Sequence, residues 1–258
     1  MSDSDDDLSL DSVFKEEPRP PTPEPTFEVY EREDGLVFND WHNIKIRLVG
    51  SHPLWGHHLW NAARAFASYL DRNQDLYSDR FVLELGAGGG LPGLVSAKNG
   101  AKHVVLTDYP DADLVTNMEF NVRENLPNAL AACVSVQGYT WGHPVQPLLD
   151  ALPYGAEGFH LIIMSDLVFN HSQHDALLQT CERCLSAQGC VLVFYTHHRP
   201  HLAARDLEFF DKARVQGWTC EEILMQSFAP MFPLDSGPAT VRGTVHGWRL
   251  RRGRGSVE

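Results

Sequence analysis

Strand-like and helix-like patterns alternate along most of this chain. From Phe27 to Val49 apolar and polar residues alternate loosely, most clearly over Ile44-Lys45-Ile46-Arg47-Leu48-Val49, which predicts a hairpin or edge strand in front of the core. The segment Leu54-Trp55-Gly56-His57-His58-Leu59-Trp60-Asn61-Ala62-Ala63 leads into a helix reaching about Leu70, on which Trp60, Arg64 and Ala67 would share a face. Phe81 to Leu85 is a short apolar run that breaks into glycines and then into the Ala/Leu/Val-rich stretch Leu94 to Ala101, the pattern of a buried parallel strand, a tight turn and a crossover helix. The same unit recurs. A strand over Val104 to Asp108 precedes a helix over Ala112 to Asn125, and Cys133 to Val136 reads as the next strand. Phe159 to Met164 then gives a buried strand, His174 to Leu185 a helix, Cys190 to Tyr195 a strand, and Leu202 to Val215 a helix. Trp218 to Leu224 and Val241 to Leu250 complete the pattern as an antiparallel closing pair. The class expected is α/β, with a seven-stranded, mostly parallel sheet.

Composition narrows the picture. A chain of 258 residues with 43% hydrophobic content can bury a full core as one domain. The formal charge of −13 disfavours nonspecific nucleic-acid binding and favours a neutral or basic partner. Residues 1 to 25 hold eight acidic and two basic residues and a proline cluster, so residues 1–26 are expected as a disordered acidic arm, 27–250 as the folded domain and 251–258 as a basic tail. The arm is either a solubilising tail or an electrostatic attractor for a basic partner. Five cysteines without a secretory signal or an apolar span of membrane length point to a cytoplasmic protein with reduced thiols, expected as a monomer with no membrane and no nucleic-acid partner.

The chemistry gathers at the glycine loop, Glu84-Leu85-Gly86-Ala87-Gly88-Gly89-Gly90. Glycines let the backbone approach a ligand closely, and the helix start behind them offers free N–H groups. Asp108 ends the next strand 22 residues after Gly86, in the place where such units accept ribose hydroxyls, so an adenosine-bearing cofactor is expected. A dinucleotide fingerprint needs glycine where Leu91 stands, which argues against NAD. Trp141 follows the third strand of the unit and is a candidate for adenine contact or for plain core packing. Ser165, Asp166 and Phe169 reach the same sheet edge after the Phe159 to Met164 strand. Trp55 and Trp60 are either core aromatics or walls of the cofactor pocket. Cys181-x-x-Cys184 lies within a helix and has no second pair, and the histidine pairs match no zinc-protease spacing, so no metal is expected. No Gly-x-Ser-x-Gly elbow or phosphate-binding Gly-Lys-Ser/Thr is present.

In combination, Leu54-Trp55-Gly56-His57, Leu59-Trp60-Asn61-Ala62, Val82 to Gly88, Thr107-Asp108-Tyr109-Pro110-Asp111, Tyr139-Thr140-Trp141-Gly142 and Ser165 to His171 resemble the lysine-methyltransferase group of seven-strand, Rossmann-like S-adenosylmethionine-dependent enzymes. The match is closer still to its fungal branch that methylates the N-terminal glycine and adjacent lysine of translation elongation factor 1-alpha. The resemblance implies S-adenosyl-L-methionine as cofactor, contacted by Trp60 together with Gly86, Ala87 and Gly88, with Trp55 as an addition to that set. It implies that Asp108 holds the ribose, that Trp141 and Ser165 border the adenine and methionine ends, and that Asp166 and Phe169 position the acceptor nitrogen. Many relatives carry Tyr where Phe169 stands here, so a tyrosyl hydrogen bond is not available from that residue. A small-molecule N-methyltransferase acting on nicotinamide or a similar amine would share every cofactor residue and is the alternative.

Overall fold

A computed structural model describes residues 23–33 and 39–253. Most of the acidic arm, a short piece of the first connection and the last five residues lie outside the described residues. Two strands, β1 (Thr26–Glu31) and β2 (Asn43–Leu48), form an antiparallel hairpin as its own small sheet. The remaining strands are β3 (Phe81–Leu85), β4 (His103–Asp108), β5 (Val134–Gly138), β6 (Phe159–Ser165), β7 (Leu185–Thr196), β8 (Trp218–Ser227) and β9 (Thr244–Arg252). They form one sheet in the order β5-β4-β3-β6-β7-β9-β8. The five strands from β5 to β7 are parallel to their neighbours; β9 runs antiparallel to both β7 and β8.

Helices cover both faces, and the apolar runs show why. In strands buried on both sides, alternate residues belong to different cores. Val82, Val104, Leu106, Leu161, Ile163 and Phe194 pack with α1 (Asn61–Arg72), α2 (Leu91–Lys98) and α3 (Ala112–Asn125). Leu83, Leu85, Val105, Ile162, Met164 and Val193 pack with α6 (His174–Cys184) and α7 (Ala203–Val215) on the other side. Two short helices, α4 (Asn128–Ala131) and α5 (Gln146–Asp150), lie in the connections around β5.

The hairpin is held in front of the first layer by side chains that replace a missing strand. Asn117, Asn121 and Asn125 recur every fourth residue on α3 and so share one face. Asn125 and Asn121 accept from the Lys45 and Arg47 backbone N–H groups at 3.0 and 2.8 Å and donate back to the same residues' carbonyls at 2.9 Å. The ladder groups of β2 not paired with β1 are thereby satisfied. The same hairpin is clamped at its far end by a buried fork: the Arg32 guanidinium donates to both oxygens of Asp71 at 2.7 Å, and Asn99 donates to Asp71 at 2.8 Å.

Several boundaries differ from the sequence reading. Trp60 is extended and precedes α1, so it does not share a helical face with Arg64. The strand expected over Cys190 to Tyr195 begins at Leu185, directly after α6, with an irregularity opposite β6 between Phe159 and Leu161. Pro238 starts a short helix, α8 (Ala239–Gly243), where strand was expected from Val241; the buried Arg242 guanidinium bonds the carbonyls of Phe232 and Gly237 there. At the domain edges, Thr26 pairs with Leu48, and Arg251 and Arg252 pair with Thr219 and Trp218, so the fold extends one residue before 27 and two beyond 250.

Candidate active site

The chain runs β3, β4, β5 outward in one direction and then crosses back to place β6 on the other side of β3. In open α/β sheets that reversal leaves a crevice at the carboxyl ends of the strands. A cavity of about 500 Å³ occupies it here. Trp55, Trp60, Gly86, Ala87, Gly88, Asp108, Trp141, Ser165, Asp166 and Phe169, the ten residues singled out in the sequence, all line this one cavity.

Its floor is the glycine loop between β3 and α2. Gly86 and Gly88 have φ of +60° and +54°, left-handed values that side chains disfavour. A β-carbon at Gly86 would strike Leu167 at 2.6 Å, whereas one at Gly88 would meet nothing within 4 Å and would project into open space. The loop is fixed from below: the Ala87 N–H donates to the Thr107 carbonyl at 2.9 Å, and Gly88 N–H donates to Asp108 at 2.7 Å. The second oxygen of Asp108 accepts from the Tyr109 N–H at 2.7 Å. Burial raises the Asp108 pKa, with these two backbone donors and His52 acting in the opposite sense.

Glu84 lies fully buried beneath the loop. One carboxyl oxygen accepts from the Gly93 N–H at 2.8 Å, and the other, Oε1, has no partner among the described residues. Burial pushes its pKa up to about 8, the Gly93 N–H opposing the shift and Asp108 adding to it. An unpaired buried oxygen on a group bordering the cavity is costly unless a ligand supplies a donor. The open space above Gly88 and this orphaned carboxyl oxygen together fit a ligand with a nucleoside half and an ammonium-bearing half, as S-adenosylmethionine has.

The opposite wall comes from the β6–α6 connection. Asp166 has φ of +59°, a strained value for a residue with a side chain. Its N–H donates to the Phe194 carbonyl at 2.7 Å, its Oδ1 accepts from the Thr196 N–H at 3.3 Å, and its Oδ2 lies 2.8 Å from His198 Nε2. Phe169 and Trp55 stand at the rim, each 42% exposed, and Trp55 also has a positive φ, +63°. Trp60 sits deeper, its ring 4.7 Å from His198, 5.2 Å from His58 and 6.0 Å from Phe232.

Sequence reasoning missed His198, His58, Phe232 and Asp206. For His198 the usable signal was its place just beyond a parallel strand, two residues after Thr196 ends β7. Asp206 on α7 is buried between His171 Nε2 at 2.7 Å and His197 Nδ1 at 2.6 Å, and so joins the Phe169 loop to the loop carrying His198. Among the described residues no group of His, Cys, Asp and Glu is arranged to hold a metal ion. Cys181 and Cys184 are buried, and burial pushes the Cys184 thiol up to about 12, so neither is a ready thiolate.

A parallel sheet reversed at its centre, with a glycine loop and an acidic strand end beneath a nucleoside-sized cavity, defines a Rossmann-like methyltransferase architecture. Solved structures share it: YcgJ of Bacillus subtilis matches with TM-score 0.56 at 12% identity, covering 74% of this chain and 99% of that one. TYW2 of Pyrococcus horikoshii, solved in complex with MeSAdo, matches with TM-score 0.52 at 15% identity, covering 81% and 69%. A lysine methyltransferase profile matches residues 39–216, and the chain belongs to that family of S-adenosylmethionine-dependent enzymes. Among relatives, "Protein N-terminal and lysine N-methyltransferase EFM7" of Cryptococcus neoformans is 42% identical over 100% of this chain and 93% of its own length. The proteins of the same name from Candida glabrata and Eremothecium gossypii are 46% and 48% identical, covering 90% and 80% of this chain and 91% and 80% of their own. No helix of the described residues is long and apolar enough to cross a membrane.

Proposed function

We propose that this chain methylates the N-terminal glycine α-amine of translation elongation factor 1-alpha and then the adjacent lysine, in the cytoplasm and as a monomer. The observation that carries this reading is the identity of 42 to 48% with N-terminal and lysine methyltransferases over most of both chains. The co-location of all ten candidate residues in one cavity supports it. Cofactor contact falls to Trp55, Trp60, Gly86, Ala87, Gly88, Asp108, Trp141 and Ser165, and placement of the acceptor nitrogen to Asp166 and Phe169. S-adenosylmethionine, when bound, supplies an electrophilic methyl group on a sulfonium.

The protein's tasks are then alignment, exclusion of water and removal of a proton from the amine. An α-amine with pKa of about 7.7 to 8.0 is neutral in a sizeable fraction of molecules near pH 7, whereas a lysine at about 10.4 is neutral in roughly one per thousand or fewer. The α-amine is therefore the easier first acceptor. The rim aromatics Trp55 and Phe169 suit a methylated ammonium through cation–π attraction.

Incubation of elongation factor 1-alpha with the protein and S-adenosylmethionine, followed by peptide mass spectrometry, tests the substrate. Increments of about 14 mass units per methyl confined to the N-terminal peptide are expected; methylated nicotinamide in a parallel assay, with no increment on the protein, would replace this reading with the small-molecule one. Asp166→Ala is expected to lose activity by at least two orders of magnitude while binding S-adenosylmethionine normally. Full activity would remove the role given to that carboxylate.

A further inference from the structure

A carboxylate alone is a poor sink for an ammonium proton. Its ordinary pKa of about 3.9 lies roughly four units below that of an α-amine, and its negative charge favours the protonated amine. Asp166 is not alone. His198 Nε2 lies 2.8 Å from Asp166 Oδ2, and the imidazole ring is seated against Trp60, another wall of the cavity. The side chain of His198 is 20% exposed, and its other ring nitrogen has no hydrogen-bond partner among the described residues.

We infer that His198, acting through Asp166, is the resting place of the proton that the acceptor amine gives up before methyl transfer. This rests on the reading that the acceptor is an amine placed at Asp166. The N–H bond of the ammonium breaks toward Asp166 Oδ2, its electron pair staying on nitrogen as the nucleophilic lone pair. The proton comes to rest on the imidazole, leaving an imidazolium–carboxylate pair that carries no net charge. The ring starts as the tautomer with its proton on Nδ1 and Nε2 open toward Asp166. After taking the proton at Nε2 the imidazolium loses its Nδ1 proton to solvent through the exposed edge, proton exchange with solvent restores the starting tautomer, and no electrons change hands.

The surroundings suit the task. Burial lowers the basicity of His198, but the carboxylate and hydrogen bond of Asp166, with Asp206 behind, outweigh it and Arg199, and the net shift is upward from 6.5. That brings the imidazole toward the range of an α-amine, which is the match that proton transfer favours. The charged and titratable groups facing the ring are Asp166 from the β6–α6 connection, Asp206 from α7 and Arg199 beside it in the chain; the Trp60 face is uncharged. His198 is thus a positioning residue whose protonation state decides whether Asp166 can pass a proton on. Asp206 holds the neighbouring His197 and keeps this loop in place.

The test is the pH dependence of kcat for wild type, His198→Gln and His198→Asn, with a peptide beginning Gly-Lys and saturating S-adenosylmethionine. Cofactor affinity, measured by calorimetry in each variant, checks that the site is intact. Wild-type kcat is expected to fall at acid pH as His198 becomes imidazolium. Both variants are expected to lose tenfold or more at pH 7 and to recover to within about threefold of wild type at pH 9.5, where the α-amine arrives neutral. Variants slowed by one constant factor at every pH, or not slowed at all, would overturn the inference while leaving the substrate reading intact. A wild-type protein inactive on this peptide would instead overturn the substrate reading and this inference with it.

Discussion

Burial pushes the Glu84 pKa up to about 8, which moves its titration out of the ordinary carboxylate range and toward neutrality. A cationic group brought to the unpaired Oε1 favours the carboxylate, so binding and deprotonation are coupled. Affinity for S-adenosylmethionine is therefore expected to rise between pH 6.5 and 8.5. Stability of the ligand-free protein runs the other way. The unfolded chain releases this proton at the ordinary value of 4.5 and the folded one only at about 8, so the contribution present below pH 4.5 is lost as pH rises through about 8. Glu84→Gln is expected to weaken binding at least tenfold at pH 8.5, with a smaller effect at pH 6.5, and to flatten both profiles; calorimetric titration across that range reads it. A variant that kept the wild-type pH dependence would show that the carboxyl group does not meet the ligand's charge.

At the scale of elements, α3 ties the cofactor loop directly to the hairpin. Asn121 holds the Arg47 backbone on one side and donates to the Gly89 carbonyl at 3.0 Å on the other, while Asn125 holds only Lys45 and its own helix. Asn121→Ala and Asn125→Ala should each lower stability, by about 1 to 3 kcal/mol where a buried partner is stranded. Only Asn121→Ala should also weaken cofactor binding, by severalfold in an equilibrium titration. Equal losses of affinity in both variants would place the link elsewhere. None of this was legible beforehand: three asparagines at four-residue spacing look like a polar helix face until a strand edge is laid against them. The strands themselves were legible because burial on both faces leaves a continuous apolar run, as in Phe81 to Leu85. The cavity lining was legible too, since parallel strands deliver whatever follows them to one edge. His198 obeyed that rule and escaped notice because its partner, Asp166, is 32 residues away in sequence. The short helix at Ala239–Gly243 escaped because Arg242 is held by carbonyls of a connection with no periodicity to read.

Over the whole molecule, charge and topology act at different stages. Deleting residues 1–22 removes seven acidic and two basic residues from a chain of formal charge −13. For a lysine-rich substrate, kcat/KM is expected to fall severalfold at low salt, with kcat unchanged and the difference fading as salt rises. Unchanged kcat/KM at low salt would leave the arm a solubilising tail. Topology acts earlier, during synthesis. β3 pairs with β6 through Val82 and Leu161, so one edge of the central strand stays open until the ribosome has passed Ser165. A nascent chain therefore carries the glycine loop without the wall that faces it, half a binding site that no methyl donor can hold. The ligand reaches a finished sheet or nothing. Once bound at a hundredfold excess over its Kd it adds about 2.7 kcal/mol to the stability of the completed fold, so a sheet closed around its methyl donor is harder to reopen than the same sheet without it.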